Sequence, residues 1–506
     1  MSKSSSPTLP PPGQARARTG VTGLDDVLGG GLPTRHVYLV EGTPGAGKTT
    51  LGLQFLQAGR EAGERSLYIT LSETAQELAI VADSHGWALD GIEVFELVGE
   101  AGLSPDAEQS ILYTAEVELG ETTREVMAAV ERLKPNRVVF DSLSEMRMLA
   151  QSPLRYRRQI LALKHFFASR DCTVLLLDDM TSDGGDLQLH SIAHGVISLE
   201  QITGDYGPVR RHLRVAKMRG VRYRGGDHDL ALDTGGIQVF PRLVAAEHRT
   251  DLLAAAVPTG TPELDGILGG GLYRGSNTLL IGPSGVGKTT TALSAVLAAL
   301  RRGERAQYYL FDEGLGTLLH RCKALNLDIR SYLESGQLEL LALDPAEVSP
   351  GRFSNMVRDA VETAGASTVV IDSLNAYMQS MPGAKFLLLQ MHELLTYLNQ
   401  KGIVTMLVLG QHGLVGEGRT DVDLSYLSDA IVLFRFFEAH GTLRKAVSVV
   451  KSRTSNHELS IREFRLGTGG IEVGPPLVDF EGVLSGVPSY RGNVPMLGEQ
   501  YGAGRV

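Results

Sequence analysis

The chain has 506 residues, 43% of them hydrophobic and 21% charged, with a formal net charge of −10. That length allows about two to four domains with full cores, and the acidity argues against nucleic acid as the main partner, which needs a positive footprint. No apolar run is long enough to span a membrane, no secretory pattern opens the chain, and Cys172 and Cys322 lack metal-ligand spacing, so a reducing cytoplasmic setting without zinc or disulfides is expected.

Residues 1–17, "MSKSSSPTLPPPGQARA", are Ser/Pro-rich and read as a disordered arm. An apolar run, "HVYLV", then leads into "GTPGAGKTT", comprising Gly42, Thr43, Pro44, Gly45, Ala46, Gly47, Lys48, Thr49 and Thr50. The spacing fits G-x-x-x-x-G-K-[ST] between a strand and a helix, the setting of a phosphate-binding loop. Glycines let backbone N–H groups close around phosphate oxygens, and the following helix points its positive end at the same charge. Lys48 is placed to reach the β/γ-phosphates, and the Thr49 hydroxyl to ligate magnesium. Next come "SLYITL", ending in Ser72-Glu73, then "RVVFDS", which puts Asp141 at the carboxyl end of a buried strand, then "TVLLLDD". Asp141 reads as part of a magnesium shell or as a helix cap, and Glu73 as the group that activates water or as a loop acid.

The pattern then repeats. "TGVTGLDDVLGGGLPTRHVYLVEGTPGAGKTT" from Thr19 aligns without a gap with "TGTPELDGILGGGLYRGSNTLLIGPSGVGKTT" from Thr259, an offset of 240, and about half the positions are identical. Such agreement marks duplication of a whole nucleotide-binding domain. The second loop comprises Gly282, Pro283, Ser284, Gly285, Val286, Gly287, Lys288, Thr289 and Thr290. Asp312-Glu313 follow "AQYYLF", Asp372 ends "STVVID", and Thr289 and Asp372 are the expected metal pair. Short apolar runs alternating with helical patterns predict two tandem α/β domains, each a mainly parallel twisted sheet flanked by helices. The expected boundaries are 18–245 and 246–473, with a Gly/Pro-rich C-terminal loop and flexible tail over 474–506.

The order of these elements resembles the RecA-type ATPases, and in its combination the KaiC family of duplicated-domain clock and clock-like proteins. The resemblance rests on the "LDxxLGGGL" lead-in, both loops, the acid pairs, "RVAKMRG", "SVVKSRTSNH" and the terminal "GPPLVDFEGVLSGVPS". It implies a homo-hexameric double ring with Mg·ATP between subunits, slow hydrolysis in the first ring, and autokinase and autophosphatase activity in the second, together acting as a timing or signalling switch. Under it, Glu73, Asp312 and Glu313 are catalytic acids, and Lys217, Arg219, Lys451 and Arg453 are cations reaching a neighbour's nucleotide, joined by the ATP-binding His457. Read without the resemblance, those cations are solvent-facing strand-edge charges. Ser425, in "RTDVDLSYLSDAI", matches the serine acceptor of phosphate, while Tyr426 stands in place of the threonine. The tail is left as the place for a regulatory protein. A RecA- or RadA-type DNA-dependent motor and a nucleotide-gated scaffold with little catalysis are the competing readings.

Overall fold

The computed structural model describes residues 15–97, 111–150, 152–180, 187–203, 207–248, 255–379, 384–411, 426–439, 441–467, 470–484 and 489–490. The chain divides into two compact units, Met1–Arg242 and Leu243–Val506. Their main sheets are built alike, and both belong to the α/β class.

In the first unit the strands are β1 (Val37–Gly42), β2 (Ser66–Thr70), β3 (Ile92–Glu96), β4 (Arg137–Asp141), β5 (Thr173–Asp178), β6 (Gly195–Ile202), β7 (Arg210–Met218), β8 (Asp227–Asp233) and β9 (Gly236–Phe240). They lie in the order β9-β8-β7-β6-β1-β5-β4-β2-β3. The run from β6 to β3 is parallel, and β7, β8 and β9 extend it antiparallel. In the second unit they are β10 (Ser276–Gly282), β11 (Arg305–Leu310), β12 (Leu338–Ala342), β13 (Ala366–Asp372), β14 (Val404–Gly410), β15 (Ala430–Ala439), β16 (Thr442–Ser452), β17 (Arg462–Gly467) and β18 (Gly470–Pro476), in the order β12-β11-β13-β14-β10-β15-β16-β17-β18. The same register shift recurs where β6 meets β7, at Val196/Ile197, and where β15 meets β16, at Ile431/Val432.

The continuous apolar runs are explained by burial on both faces. Along β1, Tyr38 and Val40 join one hydrophobic cluster while Val37 and Leu39 join another on the opposite face. A parallel sheet covered by helices on both sides needs such strands, and each fully buried Leu or Val contributes about 1.5–3 kcal/mol. The helix Lys48–Glu61 buries Leu51, Leu53, Phe55 and Leu56 against the first of these clusters. The helix Ala75–Ser84 begins at a capping box, in which the Thr74 hydroxyl accepts from the Glu77 N–H and the Glu77 carboxylate accepts from the Thr74 N–H at 2.8 Å. Ser152 and Ser349 cap helices whose first residue is a proline, Pro153–Ala168 and Pro350–Glu362.

The opening of the Gly/Pro-rich C-terminal segment packs against the second unit. Val483 is buried in a small cluster with Phe437, Ala439 and Ala446, and Phe480 meets Phe437 edge-on at 5.5 Å. Leu477, Phe480 and Val483 pack this stretch against the unit where its sequence shows no periodicity. Among the described residues, no helix is long and apolar enough to cross a membrane.

Candidate nucleotide sites

In each unit the phosphate-binding loop, the acid-ended strand and the acid pair converge at the carboxyl edge of the parallel strands, where open α/β sheets bind ligands. β1 ends at Gly42 and the helix starts at Lys48, with Gly47 at φ 105°. β10 ends at Gly282 and the equivalent helix starts at Lys288, with Gly287 at φ 122°. The left-handed backbone at both positions favours glycine. Gly42 and Gly282 serve a different need. A Cβ there would lie 2.4 Å from the Leu199 carbonyl oxygen and 2.5 Å from that of Phe434, because the neighbouring strand crosses close beneath the loop.

The lysines curl over their own loops. Lys48 Nζ donates to the carbonyls of Gly42 at 2.8 Å and Thr43 at 3.1 Å, and pairs with Asp179 at 2.8 Å. Lys288 Nζ donates to the carbonyls of Gly282 and Pro283, both at 2.8 Å. Its burial lowers the ammonium pKa to about 8, against the opposing pull of Asp372 and Asp312. At the register position next to Leu409, where the first unit carries Asp179, the second has Gly410.

The two pairs expected to hold a metal also come together. The Thr49 hydroxyl lies 3.3 Å from Asp141 Oδ2, and that oxygen accepts from the Tyr68 hydroxyl at 2.5 Å. In the second unit, Tyr308 donates to Asp372 Oδ2 at 2.8 Å and the Thr289 hydroxyl bonds the same carboxylate. Burial pushes both carboxyls above the usual range. A buried carboxylate beside a hydroxyl, at the mouth of a phosphate loop, fits a divalent cation that brings most of its ligands as water and phosphate.

The acid pairs differ. Glu73 is half-buried and faces Asp141, Glu77 and Asp179, with only Lys48 opposing, so burial and like charge raise its pKa to about 7. Its Oε2 has no hydrogen-bond partner. Glu313 is instead clamped by Arg321 at 2.7 Å, a residue whose place in the first repeat is taken by Val81. Asp312 accepts a hydrogen bond from the Ser373 hydroxyl. The corresponding Ser142 hydroxyl is buried without a partner, since the first unit has Ser72 in place of that acid.

The cations expected to act between subunits lie elsewhere. Lys217 pairs in register with Val196, and Met218 with Gly195, which faces Tyr38 at the start of β1. The carboxyl edge at Gly42 is four residues further along, roughly 13 Å at 3.3 Å per residue. Lys217 Nζ donates to the carbonyls of His190 and, at 3.0 Å, Ala193, and Arg219 to that of Ser191 at 2.9 Å. Lys451 pairs with Ile431, which stands next to Ala430 opposite Thr278, and donates to the Ser428 carbonyl at 2.6 Å. Arg453 lies 3.7 Å from Asp429. Both pairs therefore sit at the edge of the sheet opposite their own phosphate loop. His457 Nε2 is buried without a hydrogen-bond partner. Ser425 lies outside the described residues.

Some contributors are not evident from motif spacing. Tyr68 and Tyr308 stand 240 residues apart, so repeat alignment would have exposed them. Arg211 and Lys445 occupy equivalent ends of β7 and β16 and donate to the carbonyls of Gly45 at 3.2 Å and Gly285 at 3.1 Å. Only the strand register reveals these two loop cations.

The family described as "ATPase: KaiC" matches residues 17–244 and 257–478. The chain is 26% identical to "Circadian clock protein KaiC3" of Synechocystis over 94% of this chain and 95% of the relative. It is also 26% identical to "Circadian clock oscillator protein KaiC" of Picosynechococcus, over 94% and 93%, and to the protein of the same description from Synechococcus elongatus, over 94% and 92%. Two phosphate loops with matching acids, and a family match over each repeat, lead to one statement: this chain belongs to the KaiC ATPase family and carries an ATPase domain in each half.

Proposed function

We propose that the protein works as a homo-hexameric double ring, hydrolysing ATP in the first domain and phosphorylating itself at Ser425 in the second, as a timing or signalling switch. The observation that carries this reading is the position of Lys217, Arg219, Lys451 and Arg453 at the sheet edge opposite their own phosphate loops. In a head-to-tail ring that edge faces the next subunit's nucleotide, and a cation arriving in trans stabilises charge on the transferring phosphoryl group.

In the first domain, Lys48 and the amino end of its helix hold the phosphates. Thr49 and Asp141 would hold magnesium, which supplies neutralisation of phosphate charge when bound. Glu73 takes a proton from water as its oxygen attacks the γ-phosphorus and the bond to the β-phosphate oxygen breaks. Among the described residues no cation clamps its carboxylate, and burial and like charge outweigh Lys48 in raising its pKa, which suits that role. In the second domain the attacking oxygen is the Ser425 hydroxyl, with Thr289 and Asp372 on the metal and Asp312 or Glu313 accepting the proton. Because Glu313 is held by Arg321 and Asp312 is bonded to Ser373, water activation is weaker there than at Glu73. The C-terminal segment beyond Val483 is the place for a regulatory protein.

Mixing subunits tests the shared site. Glu73→Gln and Lys217→Ala proteins, each impaired in first-ring hydrolysis, are disassembled without nucleotide and reassembled together with Mg·ATP. In random hexamers about a quarter of first-ring interfaces join an intact loop to an intact cation pair. Hydrolysis returning toward that fraction supports the reading. Absence of recovery in rings verified by light scattering, or a monomer with and without Mg·ATP, overturns it.

A further inference from the structure

The first domain carries a buried polar group outside the loops and acids described above. Glu41 immediately precedes the loop glycine Gly42, and its side chain is 10% exposed. Glu41 Oε1 accepts from the Ser198 hydroxyl at 2.6 Å, and Oε2 lies 2.8 Å from His190 Nε2. His190 belongs to the short helix Leu187–Ile192, which leads into β6. At that helix's carboxyl end, cations bond four consecutive carbonyls. Lys217 donates to His190 and Ala193, Arg219 to Ser191 at 2.9 Å, and Lys164 to Ile192 at 2.7 Å. A helical side chain leans toward the amino end while its carbonyl points the other way. One residue, His190, thus touches the loop-bearing strand with its imidazole and the Lys217 ammonium with its backbone.

Among the described residues, the second domain has no counterpart of the Glu41–Ser198 pair. In register, Glu41 faces Ser198 in the first sheet, whereas Ile281 faces Leu433 in the second. His190 lies six residues before Val196, as Ser425 lies six before the equivalent Ile431. Burying a carboxylate beside an imidazole costs desolvation that an apolar pair at the same place avoids. Ile281 and Leu433 show that the fold accepts the apolar solution.

We propose that His190, held by Glu41, is a positioning residue for ATP hydrolysis in the first ring: it fixes the helix end that aims Lys217 and Arg219, and ties these cations to the strand bearing the subunit's own phosphate loop. This rests on the reading that the cations act on phosphoryl transfer. His190 touches no substrate and acts through Lys217.

A double-mutant cycle on the full-length protein tests this. His190→Ala is expected to lower kcat for hydrolysis by about five- to tenfold, with KM for ATP changed less than about twofold, since the loop itself is intact. In a Lys217→Ala background the same substitution should lower kcat no further than about 1.5-fold, because residues acting as a unit are non-additive. His190→Gln keeps a side-chain donor for Glu41 and should retain most activity, whereas Glu41→Ala should match His190→Ala. Second-domain phosphorylation, measured in the same samples, should be unchanged. Rings are checked by light scattering, so that loss of assembly is not mistaken for loss of turnover. Independent, multiplicative losses in His190→Ala and Lys217→Ala overturn the proposal even if mixed subunits recover activity. Coupled losses without recovery on mixing uphold the positioning role and overturn the placement of the cations between subunits.

Discussion

Glu73 and Glu313 hold the same place in the two repeats and meet different surroundings. Glu73 is raised to about 7 by burial and then by the carboxylates of Asp141, Glu77 and Asp179. A raised carboxyl contributes stability that is present below its unfolded value and is lost as pH rises through about 7, so its ionised form is the costly one. That costly form is the base. First-domain hydrolysis should therefore rise with pH through about 7 and level off above it. Glu73→Gln should remove this limb and lower kcat by about 10²–10⁴. A stopped-time phosphate-release assay between pH 6 and 8.5 checks both, and an unchanged pH profile in Glu73→Gln assigns the limb to another group. The meeting of the loops with Asp141 and Asp372 was legible because each of these residues needs a fixed offset from a glycine or a strand end. The Arg321 clamp on Glu313 was not, since a carboxylate's partner is set by packing of the helix Leu315–Ala324 and not by spacing.

At the scale of elements, the strand–loop–helix unit is the most constrained part of each domain. The glycines opening the loops read as phosphate-approach residues, and the fold adds that a neighbouring strand leaves no room for a Cβ. Gly42→Ala and Gly282→Ala would drive that Cβ into backbone carbonyls that cannot swing away. Each should destabilise its domain by about 1–3 kcal/mol even without nucleotide. Urea unfolding of the nucleotide-free protein checks this, and an unchanged midpoint would show that the neighbouring strand yields. The parallel strands were legible because burial on both faces demands uninterrupted apolar runs. The antiparallel strands β7 to β9 and β16 to β18 were not, because half-exposed strands such as "RRHLRVAKM" carry charges (Arg210, Arg211, Arg214, Lys217) that break the apolar run. With them went Arg211, Lys445 and the Glu41–His190 pair, all of which depend on which strands become neighbours.

For the whole molecule, the two sites are expected to divide assembly from signalling. If nucleotide is shared between subunits, ATP at about a hundred times its Kd stabilises the ring by about 2.7 kcal/mol per site. Lys48→Ala should then shift light-scattering mass toward smaller species. Lys288→Ala should leave rings but abolish incorporated phosphate, and Ser425→Ala should do the same while first-domain hydrolysis continues. Identical behaviour of the two lysine variants would argue against divided roles, and full phosphate incorporation in Ser425→Ala would move the acceptor elsewhere. Duplication, the nucleotide loops, the acid-ended strands and the α/β class are properties of the sequence by itself, because each depends on residue type at short, fixed separations along the chain. Only the tertiary structure decided that Glu73 is left without a clamping cation while Glu313 is clamped, that Gly42 and Gly282 are confined by a neighbouring strand, and that Lys217 and Lys451 lie at the edge away from their own loops. Those outcomes depend on helix packing, strand order and register; the last two bring together residues as far apart as Glu41 and Ser198, and pairing at such distance leaves no local pattern to read.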